Sequence, residues 1–361
     1  MSQILQNFDC MSVFEEYITN KHTRKLYLGS FDRFMRYFKI TDPSYFLKLT
    51  NEEIYDILKR YLLHLRQRTE KGTLKVNTIR IELAGIVHFF TYNDRVVNWK
   101  KLYKTIPQNV KNGGEKAYTK DQIGALLAAT TKTRNKLLVL FMASTGARVG
   151  SLPELKLKHV KQIENCYYVV LYNEEKEEYV SFMTPECSRL YEQYLQIRKS
   201  EGEVLTQESY LFRHDYAYGR KTNQPIVQDA VYHIISRMVK KSGIGRIKKG
   251  RRYDIPIDHG FRKFFATQIK SNPQLSHSVT ERLLGHQEYL ESSYFLPEIE
   301  KLFKEYKKAI PDLTINDIEA KNAEIKQLQA QINERIMLED KIERQNQIIR
   351  AMAKKLGMEI S

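Results

Sequence analysis

Residues Ile106-Pro-Gln-Asn-Val-Lys-Asn-Gly-Gly-Glu-Lys116 hold a proline, a glycine pair and no apolar periodicity. Neither a helix nor a strand is expected through such a segment, which makes it the clearest domain boundary in the chain. The 361 residues therefore divide into a domain over 1–105, a linker over 106–116 and a longer remainder. Each side is long enough to bury its own apolar core.

The first domain reads as helical throughout. From Thr23 to Phe38, Leu26, Leu28, Phe31, Phe34, Met35 and Phe38 recur at close to helical period among basic residues. A second helix covers about Asn51 to Arg68, with Asn51 as its N-cap and Glu52 and Glu53 in its first turn. A third spans Asn77 to Asn93, with Ile79, Ile81, Leu83, Ile86, Val87, Phe89 and Phe90 on its apolar side. Lys71, Lys75 and Arg80 lie at the edges of these helices as candidate phosphate contacts.

Past the linker, Thr119-Lys-Asp-Gln122 has the form of a capping box, and an apolar helix from Lys136 to Ser144 ends in Thr145-Gly-Ala-Arg148. Tyr167 to Tyr172 and Glu178 to Met183 are β-rich runs on either side of Lys176, a hairpin or adjacent strands with Lys176 near the tip. Further helices are expected over Pro185 to Arg198 and Asp229 to Lys241. The glycine-rich stretch from Ser242 to Arg252 gathers Arg246, Lys248, Lys249, Arg251 and Arg252, a second set of candidate phosphate contacts. From about Ile315 to Met358 the composition turns to Glu, Lys, Gln, Asn and Ile. Ile325, Leu328, Ile332, Ile342, Ile349 and Leu356 fall on the a and d sites of one heptad frame, which Arg335, Glu339 and Asn346 interrupt. A long helix is expected there. The fold class is thus mainly α with a small β-sheet: helices alone ahead of the linker, an α+β domain over 117–313, and a helical tail over 314–361.

Net charge decides the class of partner. Lys and Arg outnumber Asp and Glu 59 to 43, a formal charge of +16, which calls for a polyanion. No apolar run approaches the length of a membrane span, so nucleic acid is favoured over a membrane. Met1 to Cys10 lacks a basic region followed by an apolar one, so a cytoplasmic chain is expected. Cys10, Cys166 and Cys187 are too scattered for a metal quartet or a disulfide framework.

The chemistry-bearing residues cluster late. His259-Gly-Phe-Arg262 places an imidazole and a guanidinium three apart, on one helix face. Leu283-Leu-Gly-His286 reads as a helix end whose Gly285 turns the chain and projects His286. Ser292-Ser-Tyr294 follows, and Arg148 adds a second guanidinium. This set suits a phosphodiester: arginine grips phosphate oxygens, histidine moves protons, and tyrosine can attack phosphorus. Tyr289, Tyr306 and Tyr253 are the other nearby phenols, and Lys156, Lys158 and Lys161 the other lysines near the hairpin.

In this order the residues resemble the tyrosine recombinases, the integrase family of phages and archaeal viruses, and among them the archaeal integrases. Thr145-Gly-Ala-Arg148 is similar to the family's Thr-Gly-x-Arg box, Lys176 to its hairpin lysine, His259-Gly-Phe-Arg262 to its His-x-x-Arg box and Leu284-Gly-His286 to its Leu-Gly-His. Tyr294 stands where the nucleophile is expected, eight residues past His286 rather than the commoner nine, where Phe295 has no hydroxyl. Ser151 stands where the family usually has an acidic residue, with Glu154 three further on. The resemblance covers the chain to about Leu313. It implies a core-binding domain, a catalytic domain, and a site-specific recombinase working through a 3′-phosphotyrosyl intermediate. Arg148, Lys176, His259, Arg262, His286 and Tyr294 would be its catalytic residues. Double-stranded DNA with attachment sites would be the partner, and a homo-oligomer, a tetramer on paired sites, the assembly. No Walker loop or metal-binding carboxylate cluster stands in the sequence, and neither metal nor cofactor is expected. A regulator of the same fold with lapsed chemistry and a type IB topoisomerase-like enzyme are the alternatives.

With six or more phosphate contacts spread over both domains, affinity for duplex DNA is expected to fall at least about a thousandfold between about 50 and 200 mM salt. An affinity that salt leaves unchanged, measured by fluorescence anisotropy, would contradict this use of the basic residues.

Overall fold

The computed structural model describes residues 9–108, 116–214, 224–249, 252–286 and 299–356. The chain splits into two compact units, Met1–Gly113 and Gly114–Ser361.

The first unit is built from helices α1 (Cys10–Glu16), α2 (Lys21–Phe38), α3 (Tyr45–Lys48), α4 (Asn51–Glu70), α5 (Val76–Tyr92) and α6 (Trp99–Lys104). The cap of α4 differs from expectation. Thr50, not Asn51, is the N-cap: its hydroxyl accepts from the Glu53 amide, and Glu53 returns a bond to the Thr50 amide. That reciprocal arrangement satisfies two amides that a helix start otherwise leaves open. Phe31, Phe34, Phe46, Phe89 and Phe90 form an aromatic centre, with Phe31 and Phe89 stacked at 4.1 Å. Ile81, expected on the buried side of α5, is exposed instead, because the apolar stripe that packs runs through Ile79, Leu83, Ile86 and Phe90. The crossing of α2 and α5 requires Gly85. A Cβ there would overlap Ser30 Oγ and the Tyr27 carbonyl and lie 2.8 Å from Tyr27 Cα.

In the second unit, α7 (Lys120–Ala128) opens with the expected Thr119–Gln122 capping box and leads to α8 (Thr133–Thr145), a helix buried on nearly all sides. A three-stranded antiparallel sheet follows in the order β1 (Val160–Ile163), β2 (Cys166–Leu171), β3 (Tyr179–Phe182). In its register Val160 faces Val169, and Tyr168 faces Phe182. Strand β1 was not evident in the sequence; Val-Lys-Gln-Ile is short and half polar. Next come α9 (Pro185–Ser200), α10 (Gln228–Ser242) and a two-stranded ribbon of β4 (Lys248–Lys249) and β5 (Arg252–Tyr253). The ribbon occupies what the sequence presents as a glycine-rich loop. Helices α11 (His259–Ser271), α12 (His277–Leu283), α13 (Ile299–Lys307), α14 (Ile310–Leu313) and α15 (Asp317–Leu356) complete the unit. The core lies between α8, the sheet, α9 and α11, and Phe303 and Tyr306 of α13 pack onto Phe182 from β3. Cys10, Cys166 and Cys187 are all buried and unpaired. Among the described residues no helix is long and apolar enough to cross a membrane.

Gly85→Ala tests the helix crossing. The added methyl has nowhere to go, and overpacking of this kind costs about 1–3 kcal/mol. Gly124→Ala in α7, whose nearest neighbour would be 4.0 Å away, is the control and is expected to be neutral or mildly stabilising. Equal denaturant midpoints for the two variants would mean that α2 and α5 do not cross this closely.

Candidate active site

The site begins where α8 stops. Gly146 takes φ +64°, a left-handed conformation, and a Cβ on it would overlap the Phe265 ring, so glycine is required twice over. Thr145 Oγ1 donates to Phe141 O at 2.6 Å and accepts from the Ala147 amide, fixing the exit of the chain. Arg148 follows, half-buried, with its guanidinium 6.0 Å from the centre of the Tyr179 ring. Ser151, at the place of the acidic residue usual in the family, is buried and donates its hydroxyl to the Arg148 carbonyl at 2.8 Å. It braces the backbone, not the guanidinium, and Glu154 is exposed.

Arg262, on the first turn of α11, ties three boxes together. Its Nη1 donates to Gly146 O at 2.7 Å. Its Nη2 donates to Leu284 O and lies 3.2 Å from His286 Nε2. Only 6% of Arg262 is exposed; burial, with Arg148 nearby, pulls its guanidinium below its ordinary value, but it stays a cation. His259, three residues earlier, differs in exposure: it stands at the start of α11 and faces solvent. Shared face position thus does not give shared burial here, because Arg262 is the residue that reaches under the α8 turn.

Gly285 takes φ +61°, and a Cβ there would lie 2.6 Å from a carbon of the Tyr179 ring. That turn presents His286 as expected. The imidazole lies between two charged groups. Nδ1 is 2.5 Å from Glu281 Oε2 and donates to it, which leaves Nε2 to face Arg262. Burial raises the Glu281 carboxyl, yet bonds from Lys270 and His286 outweigh it and hold the group below the usual range.

Lys176 lies in the exposed loop joining β2 and β3. Two of the competing lysines are committed elsewhere: Lys156 and Lys158 each pair with Glu208 at 2.8 Å. Tyr294, Tyr289 and Arg251 lie outside the described residues. Of the other phenols, Tyr306 is fully buried and donates to Ser144 O at 2.9 Å, with its acidity suppressed by burial. Tyr253 stacks against the Arg246 guanidinium at 4.1 Å.

The basic residues fall into two groups. In the first unit, Lys71 ends α4, Lys75 precedes α5 and Arg80 lies one turn along, all exposed. In the second, Lys248 and Lys249 pair with Tyr253 and Arg252 across the ribbon. Arg246 is only half-exposed and donates to Ile255 O at 2.8 Å, so it braces the ribbon's root.

Three residues at the site escaped the sequence reading. Tyr179 packs under both Gly285 and Arg148, with its hydroxyl 3.5 Å from Arg262 Nη1; burial makes its phenol harder to ionise, and the two arginines oppose this. Glu281 is the second. Asp258 is the third: it immediately precedes His259, Oδ1 has no hydrogen-bond partner among the described residues, and burial pushes its carboxyl up to about 6. An acid directly before His-x-x-Arg was the only signal for it. Among the described residues no group of three or more His, Cys, Asp or Glu could hold a metal ion.

Residues 116–293 match the profile of the phage integrase family. The second unit belongs to that family. Among curated relatives, tyrosine recombinase XerC of Lactobacillus leichmannii is 24% identical over 269 residues, 70% of this chain and 82% of the relative. Tyrosine recombinase XerA of Saccharolobus solfataricus is 25% identical over 297 residues, 80% and 87% of the two chains. Two solved structures share the fold. A lambda integrase dimer bound to a COC′ core site gives a TM-score of 0.51 at 16% identity, covering 80% of this chain and 98% of the other. The Tn1549 transposon integrase in complex with circular intermediate DNA gives 0.52 at 14%, covering 82% and 98%. In this phage integrase domain the residues that meet are Arg148, Arg262 and His286, joined by Tyr179 and Glu281.

Asp258 carries a pH signature. The folded chain keeps its proton up to about pH 6, whereas the unfolded carboxyl releases it near its ordinary value of about 4. Ionised Asp258 therefore costs stability above about pH 6 and costs none below about pH 4. Asp258→Asn is expected to raise the thermal midpoint at about pH 8 and leave it unchanged at about pH 4. A rise of equal size at both would show that the gain comes from packing.

Proposed function

We infer that this chain is a site-specific DNA recombinase that cuts and rejoins strands through a 3′-phosphotyrosyl intermediate. The observation that carries the reading is the bonding of Arg262, which draws the Gly146 turn, Leu284 and His286 around one point. With Arg148 against the same Tyr179 ring, two guanidiniums and an imidazole would together receive one phosphate. The family and the relatives named above support the same activity.

The roles follow from what each group has left to give. Arg262 spends Nη1 and Nη2 largely on carbonyls and His286, so it frames the site and adds fixed positive charge. Arg148, half-exposed, is the main grip on the nonbridging oxygens, and its charge-assisted bonds strengthen as negative charge develops. His286, held by Glu281, takes the phosphate on its Nε2 side. Tyr294 attacks phosphorus: its oxygen forms the new ester, and the bond to the 5′-oxygen breaks. A phenol ionises near pH 10, so its proton needs an acceptor, and exposed His259 is that base. Lys176, on the loop between β2 and β3, returns a proton to the leaving 5′-oxygen. The second strand's 5′-hydroxyl then attacks the phosphotyrosine and frees Tyr294. One phosphodiester replaces another, so the exchange is close to isoenergetic.

Lys71, Lys75, Arg80, Lys248, Lys249, Arg251 and Arg252 would hold the duplex backbone. The first unit serves as the core-binding domain and residues 117–313 as the catalytic domain. The working assembly is a homo-oligomer on paired attachment sites, a tetramer during exchange, in the cytoplasm of a cell carrying a mobile element or virus.

Tyr294→Phe is expected to bind DNA as the parent does yet form no covalent adduct on a nicked substrate that traps the intermediate. Arg148→Ala is expected to lose cleavage at least about a hundredfold, as when a transition-state donor is removed. Mass spectrometry of the DNA-linked peptide decides the nucleophile; phosphotyrosine at Tyr289 would reassign it, and no adduct from the parent protein would remove the enzyme. Strand exchange between two sites, compared with relaxation of supercoiled DNA, separates a recombinase from a topoisomerase.

A further inference from the structure

Helix α15 is anchored in cis at its start and uncovered beyond. The Ile315 amide donates to Glu186, Arg189 pairs with Glu319, and Gln327 donates to the Lys307 carbonyl. Further along, Leu328, Ile332, Ile342 and Ile349 are each half-exposed or more, as are Ile336 and Leu338. A helix of 40 residues that keeps such a seam in water needs a partner.

The three residues that interrupt the seam identify that partner. In a parallel, in-register pair, Arg335 would face Arg335, Glu339 would face Glu339, and both like-charged layers would be desolvated. In an antiparallel pair an a site of one helix faces a d site of the other. Centred on Met337, that arrangement sets Ile325 against Ile349, Ile332 against Ile342, and Arg335 against Glu339, each twice over. Leu328 meets Asn346 near each end, where the amide can reach water. Ile336 and Leu338, off the heptad frame, then flank the centre on either side, each nearest its own counterpart. Sliding by one heptad either way destroys the match. One slide sets Arg335 on Ile332 and Glu339 on Leu328; the other sets Glu339 on Ile342 and Arg335 on Asn346. Within one helix Arg335 and Glu339 already pair at 2.9 Å, so two copies would close a four-charge ring at the two-fold.

We propose that residues 325–349 of α15 form an antiparallel coiled coil with the same segment of a second copy, centred on Met337. The centre lies 20 residues past Asp317, about 30 Å at helical rise, so the pair holds two protein bodies well apart about a two-fold axis. This pairing does not depend on the reading of the active site.

The test uses the full-length protein. Ile332→Cys and Ile342→Cys are made separately, mixed and oxidised; the native cysteines are buried. The expected product is the mixed 332–342 disulfide. Two copies of residue 332 would be about 15 Å apart along an antiparallel pair, beyond disulfide reach. Dominant 332–332 and 342–342 products, or none at all, would overturn the proposal. In sedimentation, Arg335→Glu is expected to weaken the dimer more than about tenfold, and adding Glu339→Arg to restore it. A parent protein that stays monomeric at micromolar concentration, or a double variant as weak as the single, would overturn it as well.

Discussion

One buried guanidinium organises the second unit's chemistry. Arg262 would be costly to bury alone, since a cation removed from water must recover its hydration from fixed dipoles. It does so through the carbonyls of Gly146 and Leu284, the ends of α8 and α12. Both carbonyls are available because a glycine in the left-handed region breaks each helix nearby, at 146 and at 285. The backbone turns, the arginine and the two ring neighbours are thus one device. Without Arg262 both turns would leave acceptors unmet; without the glycines Arg262 would lose the two carbonyls.

That dependence explains which parts of the site were legible in the sequence. Thr145-Gly-Ala-Arg148, His259-Gly-Phe-Arg262 and Leu284-Gly-His286 combine a glycine turn with a charged or ionisable group, and such pairs stand out against any background. Tyr179 does not: with 23 tyrosines in the chain, a tyrosine at the start of a β run looks like strand packing. Its ring nevertheless fills the space that Gly285 leaves open, which only the packing of β3 against α12 creates. Glu281 is hidden for the same reason. It precedes His286 by five residues, a spacing with no helical meaning until α12 ends and the chain doubles back.

The fold shows a parallel limit. Long periodic helices were legible to within a residue or two at most ends, since α5 and α10 follow their apolar stripes. Short elements were not. Val160–Ile163 becomes a strand because β2 supplies the pairing, and the ribbon at Lys248–Lys249 forms although its residues read as a basic loop. Ile81 shows the converse, an apolar residue at helical spacing that no neighbour covers. Gly85 is the sharpest case, for nothing in its own neighbourhood demands glycine; the demand comes from Tyr27 and Ser30 on α2.

Charge is placed by function in the same way as shape. The second unit carries buried ion pairs that serve packing, such as Arg198 and Arg213 around Glu203, each closed on itself by carboxylates and carbonyls. Arg148 and Arg262 are different. Their neighbours are a phenol, backbone carbonyls and the His286 imidazole, and the Glu281 carboxylate beside that imidazole is taken up by Lys270 and His286. Among the described residues neither guanidinium pairs with a carboxylate, so the two repel, and an anion arriving between them would relieve that repulsion. On the proposed reading that anion is a phosphodiester, which brings one negative charge on two nonbridging oxygens. On that reading the unneutralised charge would favour binding, while Glu281 is spent on orienting His286.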